Sequence, residues 1–322
     1  MIFPLDHTSS FGFLTKSADH NISVFQQISE CISDTAAVNL IKEIFISHYS
    51  NFFDIEFSKH IINTSLDILS SYPDKAVTIS QFKDRITKVS ALFYPQDKDS
   101  LFFQKYAEYK KLSKPKYYFE MTKGDFLGEK ILDFGCGKGY FSNYSYSHGF
   151  SSIDADVIDY NEVRRKEIPF VQLKTTRDIS SRLDHVDTTV CLTVLRHIEK
   201  EKISDVLYKL SLISRRIIIV EDIIDLESFS SKKMSSLEKK MMGLTQESKK
   251  NAMILADFYG NVIAQSLSRM SLPFSFRTSK EWVSILESNG FSVKSVIPIG
   301  SPKVSFHGFF QVKIVCDSNN FA

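Results

Sequence analysis

The spacing of hydrophobic positions changes once along the chain, near residues 124–128. From about residue 21 to residue 112, apolar side chains recur three or four positions apart, as at Leu40, Ile41 and Ile44. That spacing places them on one face of a helix. After the change, short apolar runs alternate with helical segments, which is typical of βαβ units around a parallel sheet. The pattern therefore predicts a helical amino-terminal region followed by an α/β domain.

Seven apolar runs after residue 128 are predicted to be strands, with helices between the first five. The predicted strands are 131–134, 153–158, 170–173, 188–194, 216–221, 292–297 and 309–316, and the clearest predicted helices are 140–147, 201–214 and 279–288. The run 188–194 is apolar almost throughout, as expected of a strand that is covered on both faces. The last two strands are predicted to form a terminal hairpin.

Composition indicates an ordinary globular protein with a sizeable core. Hydrophobic residues make up 43% of the 322 positions, and the 27 phenylalanines against one tryptophan predict a core rich in phenylalanine packing. The net charge of +2 is too small to indicate a nucleic-acid surface by itself. Four scattered cysteines predict free thiols, and no apolar run or signal-peptide pattern suggests a membrane or export, so a cytoplasmic protein is expected. No metal site is predicted.

The sequence Ile-Leu-Asp-Phe-Gly-Cys-Gly-Lys-Gly at residues 131–139 carries the most specific chemical information in the chain. It predicts a buried strand, a turn with glycine at every second position, and a helix that begins near Tyr140. Glycine adopts backbone angles that other residues resist, and it lacks the Cβ atom that would keep a ligand away from the main chain. The helix amino terminus adds unpaired N–H groups. The pattern indicates a nucleotide-type cofactor site at Gly135, Gly137 and Gly139.

Three segments, in this order, resemble motifs of the class I S-adenosylmethionine-dependent methyltransferases, in particular those of the small-molecule type. They are 132–139, which resembles the first motif, 186–198, which resembles the fourth strand and the helix after it, and 274–282 with Gly290 and Phe291, which is similar to the segment before the closing hairpin. The alternating glycines favour this methyl donor over a nicotinamide dinucleotide, whose motif spaces its glycines differently. The resemblance covers roughly residues 116–317, and the first 110 residues show no such resemblance.

The resemblance implies a doubly wound, seven-stranded, Rossmann-like α/β sheet whose last strand runs antiparallel. S-adenosylmethionine would bind at the carboxyl ends of the strands, with S-adenosylhomocysteine as the product. The residues that the resemblance places at the cofactor are Asp133, Phe134, Gly135, Cys136, Gly137, Gly139, Asp156, Asp159, Thr175, Thr176, Leu192 and Thr193.

Two residue assignments in this implied cofactor site are not decided by the sequence. Either Asp156 or Asp159 would accept hydrogen bonds from both ribose hydroxyls, and Asp156 has the more usual position. Where relatives carry an acid for the adenine amino group, this chain has residues 175–178, Thr-Thr-Arg-Asp. Either Asp178 would reach the adenine, or a threonine hydroxyl and the backbone would.

Candidate catalytic residues follow the fourth and fifth predicted strands. His197 lies about one helical turn after the fourth strand, where the resemblance implies that the donor methyl group points. A neutral imidazole there could take a proton from a substrate hydroxyl, although helix packing is the alternative role. Glu221 and Asp222 end the fifth strand and either face the substrate or are exposed to solvent. Arg196 is interpreted as a surface charge.

Two regions outside the motifs are expected to cover the substrate. Residues 1–112 are predicted to be a helical cap, and residues 113–322 the methyltransferase domain. An insertion at about 226–273, lysine-rich and then amphipathic, predicts a lid over an apolar substrate, the alternatives being a helix packed on the core or in a dimer contact. The lysines and tyrosines between residues 105 and 118 could form a nucleic-acid surface, but a domain joint with exposed lysines is favoured.

These features together predict methyl transfer from S-adenosylmethionine to a small organic acceptor, more readily to oxygen than to nitrogen or carbon. The alternatives are a methyltransferase of RNA or protein, and a binding or scaffold protein that keeps the cofactor fold without turnover. The expected partner is the small-molecule acceptor. A membrane is not expected, nucleic acid is disfavoured, and a homodimer is left open.

Overall fold

The structure of the protein is a computed structural model. It describes residues 18–70, 81, 84–85, 88–89, 92, 101–159, 163–225, 234–263, 272–300 and 309–321. The insertion expected at 226–273 is therefore described from 234 to 263 and at its last two residues, and its lysine-rich start at 226–233 lies outside the described residues.

A single mixed sheet forms the centre of the carboxyl-terminal part. Its strands are β1 (Lys130–Phe134), β2 (Ser151–Asp156), β3 (Phe170–Gln172), β4 (Val186–Leu192), β5 (Ser214–Asp222), β6 (Phe291–Gly300) and β7 (Gln311–Ser318). They lie in the order β3-β2-β1-β4-β5-β7-β6, and β7 runs antiparallel to both β5 and β6, whereas the other pairs are parallel. The predicted seven-stranded sheet with a terminal antiparallel hairpin is confirmed.

Several predicted strand boundaries were two residues too late. The run predicted at 153–158 pairs with β1 only as far as Ala155, opposite Phe134, and β2 ends at Asp156. It ends there because Oδ1 of Asp156 accepts hydrogen bonds from the N–H groups of Val157 and Ile158, which turns the chain out of the sheet. The run predicted at 188–194 is displaced in the same way, whereas the run predicted at 309–316 was two residues too early, since β7 spans Gln311–Ser318.

Helices flank the sheet and form a separate layer before it. They are α1 (Ala18–Ser33), α2 (Thr35–Tyr49), α3 (Ile55–Ser70), α4 (Leu101–Glu108), α5 (Lys114–Thr122), α6 (Tyr140–Tyr146), α7 (Arg177–Arg182), α8 (Ile203–Ile213), α9 (Ser236–Met242), α10 (Gln246–Phe258) and α11 (Ser279–Ser288). π-Helical turns at Tyr109–Ser113 and Tyr259–Ile263 follow α4 and α10, and a 3₁₀ turn at Leu195–His197 follows β4.

The helix predicted at 279–288 is observed with those bounds as α11. Its start is fixed by a reciprocal cap, in which the Thr278 hydroxyl accepts from the Glu281 N–H and the Glu281 carboxylate accepts from the Thr278 N–H. Trp282 and Leu286 of this helix are buried in the same cluster as Ile217 of β5, so α11 covers one face of the sheet.

The amino-terminal helices and the insertion pack together in one hydrophobic cluster. Buried residues of α2, such as Ile41 and Phe45, share that cluster with Leu255 and Phe258 of α10. The ring centroids of Phe45 and Tyr259 are 4.8 Å apart. The two segments that the sequence predicted as a separate cap and lid therefore form one layer, since neither could bury its apolar face alone.

Polar contacts fix the same two segments to each other. Asp34 caps α2 by accepting from the N–H groups of Ala36 and Ala37, and its other carboxylate oxygen accepts from Nδ2 of Asn251 in α10 at 3.0 Å. Nζ of Lys240 in α9 lies 2.6 Å from Oε1 of Glu43 in α2. The insertion is thus attached to the amino-terminal helices through both apolar and polar contacts.

The remaining general features concern the cysteines, metal binding and membrane-spanning helices. Each of the four cysteines carries a free thiol, and three of them are buried. Across the described ranges, no group of histidine, cysteine and acidic side chains is arranged to hold a metal ion. None of the helices in these ranges has the length and apolar character that crossing a bilayer requires.

Candidate active site

A cavity of about 280 Å³ lies at the carboxyl ends of β1, β2 and β4. The strand order places β1 between β2 and β4, so the crossovers leave β1 toward opposite sides of the sheet. Open α/β sheets bind their ligands in the crevice at such a position. The glycine turn after β1 forms the floor, α5 forms one wall, and α10 with the π-helical turn after it contributes the roof.

The three alternating glycines are needed for different reasons. All have positive φ angles, +78° at Gly135, +55° at Gly137 and +73° at Gly139. A Cβ atom on Gly135 would overlap the side chain of Val194, and one on Gly139 would lie 2.7 Å from Oδ2 of Asp154. At Gly137 a Cβ would meet nothing within 4 Å. Of the three, only Gly137 therefore has open space where a side chain would begin.

Asp156 holds the glycine turn in place. Its Oδ2 accepts a 2.7 Å hydrogen bond from the N–H of Gly137, while Oδ1 turns the chain at the end of β2. Asp156 also lines the cavity. A single carboxylate thus connects the end of β2 with the one glycine that faces open space.

Asp133 lines the cavity and contains a buried oxygen without a hydrogen-bond partner among the described residues. The residue is 3% exposed, and this oxygen is its Oδ2. Burial, together with the neighbouring carboxylates of Asp154 and Asp156, raises the pKa of Asp133 well above its usual range. An unpartnered buried acceptor is costly, so this atom is suited to a donor group of a bound molecule.

Most of the residues placed at the cofactor by resemblance line this cavity. They are Asp133, Phe134, Gly135, Cys136, Gly137, Asp156, Leu192 and Thr193. Thr193 has a φ angle of +55°, which is uncommon for a residue other than glycine, and it directly follows β4 in the cavity wall. Gly139 lies just behind the wall, where its backbone angle lets α6 begin.

Asp159, Thr175 and Thr176 do not belong to the cavity wall. Oδ1 of Asp159 accepts from Nη2 of Arg164 at 2.9 Å. The carboxylate of Asp178 accepts from the N–H groups of Lys174 and Thr175 before α7, which occupies it in a local turn.

The wall next to these residues is apolar. It is formed by Val157, Ile158 and Leu173, which the sequence did not single out as site residues. Their signal was available, since Val157 and Ile158 directly follow the acid that ends β2 and Leu173 directly follows β3. A flat apolar wall at this place suits the face of an aromatic ring.

Arg196 is buried, and its interpretation as a surface charge was wrong. It is 8% exposed and lines the cavity. Its Nε donates to Oδ1 of Asp257 at 2.8 Å, and its Nη1 lies 3.2 Å from Oε2 of Glu221 and 3.5 Å from Oδ2 of Asp222. Three carboxylates, two from the end of β5 and one from α10, therefore surround one guanidinium group.

The three catalytic candidates occupy different positions around this guanidinium group. His197 lines the cavity and is 2% exposed, with Nε2 3.8 Å from Oδ1 of Asp257. Asp222 also lines the cavity and accepts from Nε2 of Gln311 at 2.9 Å.

Glu221 lies behind the wall, where its Oε1 accepts from the N–H of Leu195 at 2.6 Å. Burial raises the pKa of Glu221 to about 7, against the attraction of Arg196. Glu221 therefore positions the turn after β4 and does not face the cavity. Its placement toward the substrate was wrong, and so was the alternative of solvent exposure.

The sequence reasoning missed the wall made by α4, the π-helical turn and α5. Tyr106, Lys110, Lys114 and Tyr118 are spaced four positions apart, and all of them line the cavity. The expectation of exposed lysines holds for Lys111 and Lys116 but not for Lys110 and Lys114. The spacing of four was the available signal, because it puts side chains on one helix face.

The residues fit an S-adenosylmethionine-type cofactor on two observations. The position of a Cβ on Gly137 is open, and a buried oxygen of Asp133 has hydrogen-bonding capacity to spare. A nucleoside and an amino group would use these two features, respectively.

Comparisons with known proteins add fold-level likenesses. No family model matches the chain, and no curated protein matches it. Solved structures similar to it include magnesium protoporphyrin IX methyltransferase (ChlM) from Synechocystis PCC 6803 with bound SAH, at 16% identity and a TM-score of 0.41, covering 70% of this chain and 91% of that one.

A second similar structure is a SAM dependent methyltransferase from Archaeoglobus fulgidus, at 17% identity and a TM-score of 0.43, covering 64% of this chain and 94% of that one. A third is 1,6-didemethyltoxoflavin-N1-methyltransferase from Burkholderia thailandensis, at 12% identity and a TM-score of 0.40, covering 76% of this chain and 93% of that one. At these identities and TM-scores, the likenesses do not extend to activity or substrate. The strand order and the antiparallel β7 observed in this chain are those of the class I methyltransferase fold.

Proposed function

We propose that this chain is an S-adenosylmethionine-dependent methyltransferase that acts on a small organic acceptor, at an oxygen atom. The observation that carries the proposal is the open main chain at Gly137, fixed by Asp156 at the position where this fold binds ligands. The buried free oxygen of Asp133 beside it supports the same proposal.

The cofactor would be held by residues of three strand ends. Asp133 would accept from its ammonium group, directly or through water, and the turn at Gly137 would lie against the methionyl and ribose parts. Asp156 would accept from the ribose hydroxyls, and Val157 with Leu173 would contact the adenine. When bound, this cofactor supplies a methyl group already activated on a sulfonium sulfur.

The chain itself would contribute alignment, exclusion of water and a proton acceptor. An activated methyl group needs little further activation, so catalysis comes mainly from holding the acceptor in line. The roof formed by α10 covers the acceptor side of the cavity and limits access of water. His197, in the wall of that side, would take the proton of an acceptor hydroxyl.

The size and position of the cavity favour a small acceptor over a macromolecule. Its volume of about 280 Å³ is close to the lower end of ligand pockets in general, about 300 Å³. The layer made of the amino-terminal helices and α10 is well packed above it. A nucleic acid or protein acceptor would have to pass this layer to reach His197.

Calorimetric titration with S-adenosylmethionine and S-adenosylhomocysteine tests the proposal. We expect both to bind the wild-type chain. Gly137→Ala should weaken binding by about tenfold or more, because the new methyl group occupies the open space. Gly149→Ala is the matched control, since Gly149 also has a positive φ angle, +91°, and open space at its Cβ but does not line the cavity.

Both substitutions place alanine in the left-handed region, so thermal unfolding should show a comparable loss of stability for the two. If neither nucleoside binds the wild-type chain, the proposal is wrong. If both bind but no acceptor hydroxyl is ever methylated, the chain is a binding protein that keeps the fold without turnover.

A further inference from the structure

The wall of the cavity opposite the glycine turn carries two lysines on one continuous helical face. Lys110 lies in the π-helical turn Tyr109–Ser113, and Lys114 begins α5. They are four positions apart, and Tyr106 and Tyr118 continue the same spacing on either side. All four side chains line the cavity. Two ammonium groups between two phenol rings therefore face the interior.

These two ammonium groups are not paired with an acid in the described part of the chain. Neither Nζ takes part in a hydrogen bond or ion pair with any residue that the structure describes. Each lies over a ring instead, Lys110 at 4.8 Å from the Tyr106 centroid and Lys114 at 5.8 Å from the Tyr118 centroid. By contrast, Lys313 donates to Oδ2 of Asp125 at 2.6 Å.

The acids nearest to the pair are already engaged or lie on another wall. Asp222 accepts from Gln311 and lies beside Arg196, and Asp133 sits at the glycine turn. Lys138 of the glycine turn also lines the cavity and acts as a positive charge on Lys110. Around Lys110 and Lys114 themselves, positive charge therefore exceeds the negative charge that directly contacts it.

The protonation behaviour of the pair agrees with this charge excess. Burial, followed by the positive charges of Lys114 and Lys138, lowers the pKa of Lys110 to about 7. Burial and Arg196 lower the pKa of Lys114 to about 8, although Asp222 and Asp133 act in the opposite direction. Cationic groups that are desolvated and repel one another gain from an anion placed between them.

We infer that Lys110 and Lys114 bind the acid group of the acceptor, so that the acceptor is a small aromatic acid whose ring lies among Tyr106, Tyr109 and Tyr118. The inference rests on the proposed function and adds the acceptor class to it. A carboxylate held by two ammonium groups would orient the rest of the molecule toward His197. The tyrosine rings provide flat surfaces for an aromatic body.

An acid probe with neutral analogues tests this inference. The probes are 2-, 3- and 4-hydroxybenzoate, each with its methyl ester, titrated calorimetrically into the chain with and without S-adenosylhomocysteine. We expect at least one acid to bind about tenfold or more tightly than its ester. Lys110→Gln and Lys114→Gln should each remove most of that preference and leave ester binding within about twofold.

Lys111→Gln and Lys116→Gln are the matched controls, because these lysines lie on the same segment and are exposed. They should leave the acid preference unchanged. A second readout is the proton balance at pH 7.5, measured in buffers of different ionisation enthalpy. Binding of an anion raises the pKa of the lysines, so the wild-type chain should take up protons, and Lys110→Gln should take up fewer.

Three outcomes overturn the inference. One is the absence of an acid preference for all three pairs of probes. Another is a loss of S-adenosylhomocysteine affinity in Lys110→Gln and Lys114→Gln, which would assign the pair to the carboxylate of the cofactor. The third is a short single-stranded RNA that competes with the acids and binds more tightly through the same lysines.

These outcomes are distinct from failure of the proposed function. That failure appears as absence of nucleoside binding in the wild-type chain, whereas the acid preference is also measured without nucleoside. If the chain binds aromatic acids through Lys110 but binds no nucleoside, the anion site is supported and the proposed methyltransferase function is wrong.

Discussion

Nε of Arg196 donates a 2.8 Å hydrogen bond to Oδ1 of Asp257, and this bond joins the turn after β4 to the end of α10. Arg196 belongs to the sheet layer, and Asp257 belongs to the insertion that packs with the amino-terminal helices. The pair is buried on both sides. It therefore fixes the roof of the cavity to the turn after β4.

Asp257→Asn should loosen that roof. The substitution keeps the shape of the side chain but removes the charge, so the hydrogen bond loses its ionic part, and we expect a loss of about 2 kcal/mol in the free energy of unfolding. Urea unfolding measures it, and hydrogen exchange should accelerate in α10. The control is Asp205→Asn, whose side chain is 47% exposed and whose partner Lys209 is on the same helix, with an expected loss below about 0.5 kcal/mol. Equal losses in the two variants would contradict a special role for the buried pair.

Asp154→Asn should change how stability depends on pH. Burial raises the pKa of Asp154 from 3.8 to about 6. Between these values the folded chain holds the proton more tightly than the unfolded chain, so stability is full below about pH 4 and falls as the pH rises to about 6. The variant should not show this decrease, so at pH 7–8 its free energy of unfolding should exceed that of the wild type by up to about 3 kcal/mol.

Asp187→Asn is a control of opposite sign for the pH experiment. Hydrogen bonds from the N–H groups of Lys130 and Glu129 and from Arg215 lower the pKa of Asp187. Its contribution is present above the unfolded pKa and lost as the pH falls, so this variant should lose stability at pH 7 but not near pH 3. Unfolding curves over the pH range measure both effects, and two parallel curves for Asp154→Asn and the wild type would refute the prediction.

Asp156→Asn and Asp159→Asn should separate the two candidates for the ribose. Asp156 lines the cavity and holds Gly137, whereas Asp159 is paired with Arg164 outside the cavity wall. We expect Asp156→Asn to weaken S-adenosylhomocysteine binding by about tenfold or more and Asp159→Asn to leave it within about twofold, as measured by calorimetry. The reverse order would assign the ribose to Asp159.

His197→Ala should slow methyl transfer without affecting the cofactor. If His197 takes the proton of the acceptor hydroxyl, we expect initial rates of S-adenosylhomocysteine formation to fall by about 100-fold or more with an aromatic hydroxy acid as acceptor. Binding of S-adenosylhomocysteine should not change. His148→Gln is the control, since His148 is exposed and outside the cavity wall. Unchanged rates in His197→Ala would remove the proton acceptor and leave the methyltransferase assignment intact.

The strands along the chain and the glycine turn were accessible from the sequence because each leaves a local signal. A short apolar run such as β4 reads as a buried strand without knowledge of its partners. The glycine at position 137 has a backbone angle that side chains resist, and only local geometry is needed to expect it. The helix predicted at 279–288 has the correct start, and the cap of Thr278 and Glu281 that fixes this start lies within four residues.

At the acceptor end of the cavity, the local signal was limited to the spacing of four that Lys110 and Lys114 share with two tyrosines. Arg196 and Asp257 are 61 positions apart, so nothing near Arg196 in the sequence indicated that three carboxylates would surround it. Lys110 and Lys114 are the same residue type as their exposed neighbours Lys111 and Lys116, so residue type did not distinguish the two pairs. The π-helical turn at Tyr109–Ser113 decided which pair faces inward.

The sequence by itself thus determined the α/β sheet, its terminal hairpin and the position of the glycine turn, because these depend on periodicity and on backbone freedom over a few residues. Tertiary structure alone decided that the insertion packs with the amino-terminal helices and that Arg196, Lys110 and Lys114 are enclosed. Burial of a charged side chain depends on which distant segments cover it, and that is settled only when the layers pack.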